Sequence, residues 1–165
     1  FGCRLLAYDL YPNEDVKKIA EYVPLETLLK ECDVITLHTN ATAENHHLID
    51  AKAIETMKPG AVIINTARGK LIDSDALIAG LESGKLGGAA LDVLENENGL
   101  YYYNRMGDVI PNPELAALRS MPNVILTDHT AFYTEEDVES MVRGVLESAD
   151  AFAKGQPTRH DVTNL

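Results

Sequence analysis

Positive charge is scarce in this sequence: 14 Lys+Arg stand against 26 Asp+Glu, a formal net charge of −12 with the five histidines neutral. Nucleic acid and anionic bilayers draw most of their protein affinity from basic side chains, so neither is expected as a partner. Tryptophan is absent and cysteine appears only twice, at Cys3 and Cys32, in apolar surroundings and at no metal-binding spacing. Both read as buried thiols in a reducing compartment. No apolar run reaches the length of a membrane span, and the opening residues lack the basic and apolar regions of a signal peptide. A soluble, cytoplasmic protein is expected. An initiating methionine is lacking too, because the chain opens at Phe1 and enters an apolar run within four residues. That reads as a boundary left by processing or truncation.

What is present is a globular composition, 45% hydrophobic and 24% charged over 165 residues, enough for one domain with a real core. Five short apolar segments each end in a polar residue: Leu5 to Asp9, Val34 to His38, Val62 to Thr66, Ala89 to Asp92 or Val93, and Val124 to Asp128. Continuous rather than alternating hydrophobicity predicts strands covered on both faces, hence a predominantly parallel sheet flanked by helices, an α/β fold. Asp50 to Met57 fits a short helix capped by Asp50 and stopped by Pro59-Gly60, and Asp73 to Ser83 fits another ended by Gly84. The longest helix signal follows Thr134. There Val138, Met141, Val142, Val145, Leu146, Ala149, Phe152 and Ala153 recur at three- and four-residue steps, behind an acidic first turn, and Gly155 with Pro157 closes the run. A packed amphipathic helix accounts for that pattern. Residues Leu94 to Asn123 show no clean period and contain Tyr101, Tyr102 and Tyr103, the profile of a long functional loop. The sequence therefore divides into a domain over 1–155 and a linker or departing tail over 156–165.

Parallel α/β sheets place ligands beyond the carboxyl ends of their strands, which makes the polar residues there the candidates for chemistry. Asp9 carries two oxygens able to accept both hydrogen bonds of a ribose diol, although an aspartate at a strand end also starts turns. Arg68 lies in IINTARGKLID, where a buried strand runs into an arginine followed by a glycine that lets backbone approach a ligand closely. Its guanidinium fork suits a planar carboxylate; an ion pair with a neighbouring loop is the plainer role. His129 ends NVILTDHTAFY and offers an imidazole, the side chain best suited to proton transfer near neutral pH. Glu97, in LDVLENENG, can reach the same surface, and Asp92 or Glu95 can replace it as the histidine's partner. Asp92 follows Gly87 and Gly88, which permit packing beside a flat group, and its carboxylate can accept from a carboxamide. Thr39 and Thr66 can donate to a ligand or complete local backbone bonds. His38 and the His46-His47 pair complete no four-ligand set, so no metal is expected. No Gly-x-Ser-x-Gly elbow exists for a hydrolase.

In order and spacing, LLAYD, INTARGKLID, GGAALDVLENENG and NVILTDHTAFYT resemble the cofactor domain of the D-2-hydroxyacid dehydrogenases, most closely the D-lactate dehydrogenase branch. The resemblance covers nearly the whole chain. It implies that Arg68 anchors a substrate carboxylate, His129 exchanges a proton with the 2-oxygen, and Glu97 supports the histidine. It likewise implies that Asp9 meets the adenosine ribose of NAD, Asp92 lies near the nicotinamide carboxamide, and Thr39 and Thr66 line the cofactor cleft. The family's usual proline two residues after the histidine of the His38 motif is replaced by Asn40, which bears on local cofactor contacts. By the same resemblance the intact parent is an NAD-dependent oxidoreductase, a homodimer, acting on a small 2-oxo or 2-hydroxy acid, most simply pyruvate and D-lactate.

The 165 residues hold no G-x-G-x-x-G phosphate loop, the turn that brings backbone and a helix N-terminus to a pyrophosphate. The family places that loop just before the strand corresponding to Leu5 to Asp9. An incomplete Rossmann-like NAD-binding domain lacking its first βα unit is therefore expected, weak or inactive as an isolated chain. A related dehydrogenase with another substrate and a non-enzymatic nucleotide-sensing or interaction module are the competing readings.

Overall fold

The computed structural model describes residues 2–102 and 104–158. Phe1, Tyr103 and residues 159–165, which include most of the expected tail, lie outside the described residues. The chain divides into two compact units, with the boundary between Asp128 and His129.

The first unit holds strands β1 (Leu6–Ala7), β2 (Glu21–Tyr22), β3 (Val34–Leu37), β4 (Ala61–Asn65), β5 (Leu86–Leu91) and β6 (Val124–Leu126), with helices α1 (Leu25–Glu31), α2 (Ala51–Thr56), α3 (Ser74–Glu82) and α4 (Pro113–Ser120). Every strand pairing is parallel, as expected, but the strands form two ladders rather than one: β1-β2, and β3-β4-β5-β6. The usual doubly wound order is 3-2-1-4-5-6. In the four-stranded ladder the strands run in chain order, β3-β4-β5-β6, which is how one half of that arrangement is built.

Burial alternates along the strands instead of being continuous. Ile35, Leu37, Ala61, Ile63 and Leu91 point into the core, whereas Val34 and Ile125 are exposed. The expected cover on both faces is thus present on one. Helices α1 to α4 pack in sequence order, each against the next, and their apolar sides meet Ile49, Ile63, Leu71, Leu86 and Leu118, all nearly inaccessible. Burying each such side chain contributes about 1.5–3 kcal/mol.

Local chemistry sets the helix limits. Asp50 Oδ1 accepts from Ala53 N at 2.7 Å and Asp73 Oδ1 from Ala76 N at 3.0 Å, so both expected caps form. Gly84 ends α3 at φ +74°. The supposed long loop contains α4, capped by Asn112, which accepts from Leu115 N at 2.8 Å, with Pro113 at the first helical position. That Asn-Pro pair is a helix start that short length hid from a periodicity reading. The two cysteines also differ from expectation: Cys3 is exposed, and only Cys32 is partly buried, where burial pushes its thiol up.

The second unit is built on α5 (Glu135–Ala153), capped by Thr134 Oγ1, which accepts from Asp137 N at 3.1 Å, and followed by Gly155 at φ +65°. Its limits match the sequence, but its packing does not. No residue of α5 is buried, and Met141, Val142, Val145, Leu146 and Phe152 are exposed. No helix among the described residues is long and apolar enough to cross a membrane.

Gly87 and Gly88 serve the sheet rather than a flat ligand. A Cβ on Gly87 would lie 2.4 Å from the Gly60 carbonyl oxygen, and one on Gly88 2.8 Å from that of Asn123. Both obstacles are backbone and cannot rotate away. Gly87→Ala is expected to destabilise the fold by about 3 kcal/mol through overpacking, against about 1 kcal/mol for Gly84→Ala, where open space leaves only left-handed strain. Urea unfolding of both variants checks the ranking; equal losses would contradict it.

Candidate functional site

Because all strands run the same way, Asp9, Thr39, Thr66, Arg68 and Asp92 follow the carboxyl ends of β1, β3, β4 and β5, the ligand-binding edge of such sheets. The best-defined part begins at the end of β4. Asn65 is 1% exposed, and its amide works in both directions. Oδ1 accepts from Ala67 N and Nδ2 donates to the Arg68 carbonyl, each at 3.0 Å. Its own carbonyl accepts from Asp92 N at 2.9 Å. The buried side-chain amide therefore closes the turn that presents Arg68, and the backbone carbonyl of the same residue joins it to the end of β5. The sequence reading missed Asn65; a lone polar residue closing an apolar run was its only signal.

Arg68 is exposed, with Nη1 folded back on the Ala67 carbonyl at 2.7 Å. A bidentate grip on a carboxylate requires that contact to open. At Gly69 the space of the missing side chain is taken by other backbone. A Cβ there would fall 2.0 Å from Leu94 O and 2.4 Å from Glu95 N, so the missing side chain admits the 94–95 backbone. This contact seats the Arg68 turn against the loop carrying Glu97. Glu97 is half-buried; its Oε2 accepts from Leu94 N at 2.9 Å and its carbonyl from Leu100 N at 2.9 Å. The structure thus brings the loops of Arg68 and Glu97 together.

Asp92 Oδ1 accepts a short hydrogen bond from Thr127 Oγ1, a partner the sequence did not indicate. Glu95 Oε1 lies 2.6 Å from His47 Nε2. Asp9 is exposed, and its Oδ1 accepts from Tyr11 N at 2.8 Å, so the turn role is realised with one of its two oxygens. Thr39 Oγ1 donates to the Asn40 carbonyl at 3.4 Å, and Thr66 is exposed directly after β4. His38 Nε2 is 2.9 Å from Thr36 Oγ1.

In the second unit His129 is half-buried at φ +53°. A non-glycine residue held in the left-handed region costs about 1–3 kcal/mol, and such residues cluster at functional positions. The following residues turn tightly, with Tyr133 N donating to Thr130 O at 2.9 Å, and the Phe132 and Tyr133 rings meet edge to face at 6.3 Å.

A Rossmann-like dinucleotide-binding fold is thereby defined. Residues 1–131 match the NAD binding domain of the D-isomer specific 2-hydroxyacid dehydrogenases, and the chain belongs to that family, with NAD as its cofactor. The residues fit that group: exposed Asp9 keeps a second carboxylate oxygen outside its turn bond, at the strand end where a ribose is read. The chain is 46% identical over 153 residues to an aromatic 2-oxoacid reductase of Clostridium sporogenes, covering 92% of this chain and 46% of that protein. It is 43% identical over 157 residues to the D-lactate dehydrogenase of Escherichia coli K12, covering 94% and 48%. Among solved structures, a D-lactate dehydrogenase from Treponema pallidum gives a TM-score of 0.91 at 40% identity, covering 98% of this chain and 49% of that one. The NAD-complexed D-isomer specific 2-hydroxyacid dehydrogenase of Lactobacillus delbrueckii ssp. bulgaricus gives 0.89 at 36% identity, covering 98% and 49%. The chain spans about half the length of the relatives it matches.

Tyr101 is a further residue of this neighbourhood. Its hydroxyl is buried without a hydrogen-bond partner, and burial, reinforced by the charges of Asp128 and Glu97, pushes the phenol from 10.0 up to about 12. A raised folded-state value stabilises the fold fully below pH 10.0 and loses that contribution as pH rises toward about 12, since the unfolded chain ionises first. Tyr101→Phe is expected to flatten the fall in urea midpoint across that window. An unchanged slope would refute the assignment.

Proposed function

We infer that this chain is the cofactor-domain portion of an enzyme that transfers a hydride between NADH and a small 2-oxo acid, most simply pyruvate to D-lactate. The carrying observation is the Asn65 clamp with the Gly69 contact, which fixes an exposed arginine beside the loop of Glu97. When bound, the reduced nicotinamide supplies the hydride that C2 of the 2-oxo acid receives. Arg68 leaves the Ala67 carbonyl and holds the substrate carboxylate through two charge-assisted hydrogen bonds. His129 gives its proton to the 2-oxygen as negative charge develops there. Glu97 supports the imidazole. Asp9 accepts from the adenosine ribose, Asp92 from the carboxamide, and Thr39 and Thr66 line the cofactor cleft. The complete enzyme works as a cytoplasmic homodimer without a nucleic-acid partner, and the 165-residue chain alone has weak or no activity.

A larger 2-oxo acid is the second reading, favoured by the relative named an aromatic 2-oxoacid reductase. The complete enzyme assayed with pyruvate and phenylpyruvate separates the two by kcat/KM. In that enzyme Arg68→Lys is expected to raise KM strongly, and His129→Asn to lower kcat by about 10²–10⁴-fold. Steady-state kinetics test both: an unchanged KM ends the anchoring role, and an unchanged kcat ends the proton-transfer role. Robust NADH-dependent turnover by the purified 165-residue chain would refute its predicted inactivity.

A further inference from the structure

His46, His47 and Glu95 each turn a ligand atom to one point, all within 4.8 Å of one another. Glu95 comes from 48 residues away, so no spacing in the sequence reveals the set. Consecutive side chains on extended backbone point to opposite sides. Here His47 sits at φ +54°, and that left-handed kink swings its ring beside His46, with centroids 3.9 Å apart. Both Nε2 atoms then face the same carboxylate oxygen, Glu95 Oε1, at 3.8 Å from His46 and 2.6 Å from His47. The opposite nitrogen of His47, Nδ1, lies 3.6 Å from Asp73 Oδ2. A carboxylate behind a histidine fixes its tautomer and leaves Nε2 available to a metal. Glu95 is held as well: Oε2 accepts from Ser74 N at 3.4 Å, and its side chain is only 19% exposed.

The geometry points to a site for a divalent transition metal, zinc above all, with His46 Nε2, His47 Nε2 and Glu95 Oε1 as ligands, water in the fourth position and Asp73 orienting His47. Two imidazoles and a carboxylate are a zinc donor set. Nitrogen and oxygen ligands at about 2.0–2.2 Å from zinc stand roughly 3.4 Å apart in a tetrahedron, between the two distances observed. Binding moves His47 and Glu95 apart by under about 1 Å, and the proton shared between them leaves to solvent. The metal joins the turn before Ile49 to the loop that carries Glu97, with the start of α3 behind both ligand segments through Asp73 and Ser74 N, and so cross-links two segments independently of any dinucleotide.

The test is calorimetric titration of Zn²⁺ into the tag-free, metal-stripped full chain, with Co²⁺ visible absorption reporting imidazole and carboxylate coordination. One saturable site is expected, weakened by about tenfold or more in His47→Ala and Glu95→Gln, with His38→Ala as the unaltered control. Circular dichroism verifies that each variant folds, and His46→Ala supplies a second ligand deletion should His47→Ala not fold. Absence of a saturable site in the wild-type chain, or affinity within twofold of wild type in folded variants lacking a ligand, overturns the proposal.

Discussion

A buried amide holds the working edge of this protein together. Asn65 ends a strand whose other inward residues are apolar, and an unsatisfied polar group there would cost about 1–3 kcal/mol. The structure gives both ends of that amide a local partner, through Ala67 N and the Arg68 carbonyl. The consequence is a turn with one conformation. With it go the seating of Gly69 under Leu94 and the position of the loop bearing Glu97, while the backbone carbonyl of Asn65 makes the link from β4 to Asp92. Removing the amide would free the arginine before it altered any charge.

Much of this was legible in sequence because it is local. The caps at Asp50, Asp73 and Thr134 and the glycine stops at Gly84 and Gly155 are short-range hydrogen-bond and dihedral requirements, and each forms as read. Parallel pairing was legible as well, since apolar segments separated by helical stretches allow little else. Strands of two residues, such as β2, carry no period and were invisible. Helix α4 was hidden because eight residues give too few turns to establish a face.

The misreadings of the three glycines share a cause: space was assigned to a ligand when a distant piece of backbone already filled it. Gly69, Gly87 and Gly88 each looked like space for a bound molecule, yet each accommodates a carbonyl contributed by a segment remote in sequence. Thr127, which holds Asp92, and Glu95, which gathers the two histidines, lie 35 and 48 residues from their partners. Packing determines such pairs, and packing has no signature in spacing. The resemblance to a family supplied the proposed reactive residues but not the contacts that hold them.

The charge of the molecule bears on how it meets its ligands. A chain with 26 acidic and 14 basic residues repels anions at long range, and both a 2-oxo acid and a dinucleotide are anions. Screening confines that repulsion to about 8–10 Å at physiological salt, whereas a guanidinium fork acts only in contact. On the proposed function, recognition rests on short-range geometry and not on steering. Among the described residues, the strand end that carries Arg68 is held by a buried amide. In a net-acidic setting a mobile cation would be drawn to neighbouring carboxylates, and fixing the backbone at Arg68 keeps its charge at the ligand edge.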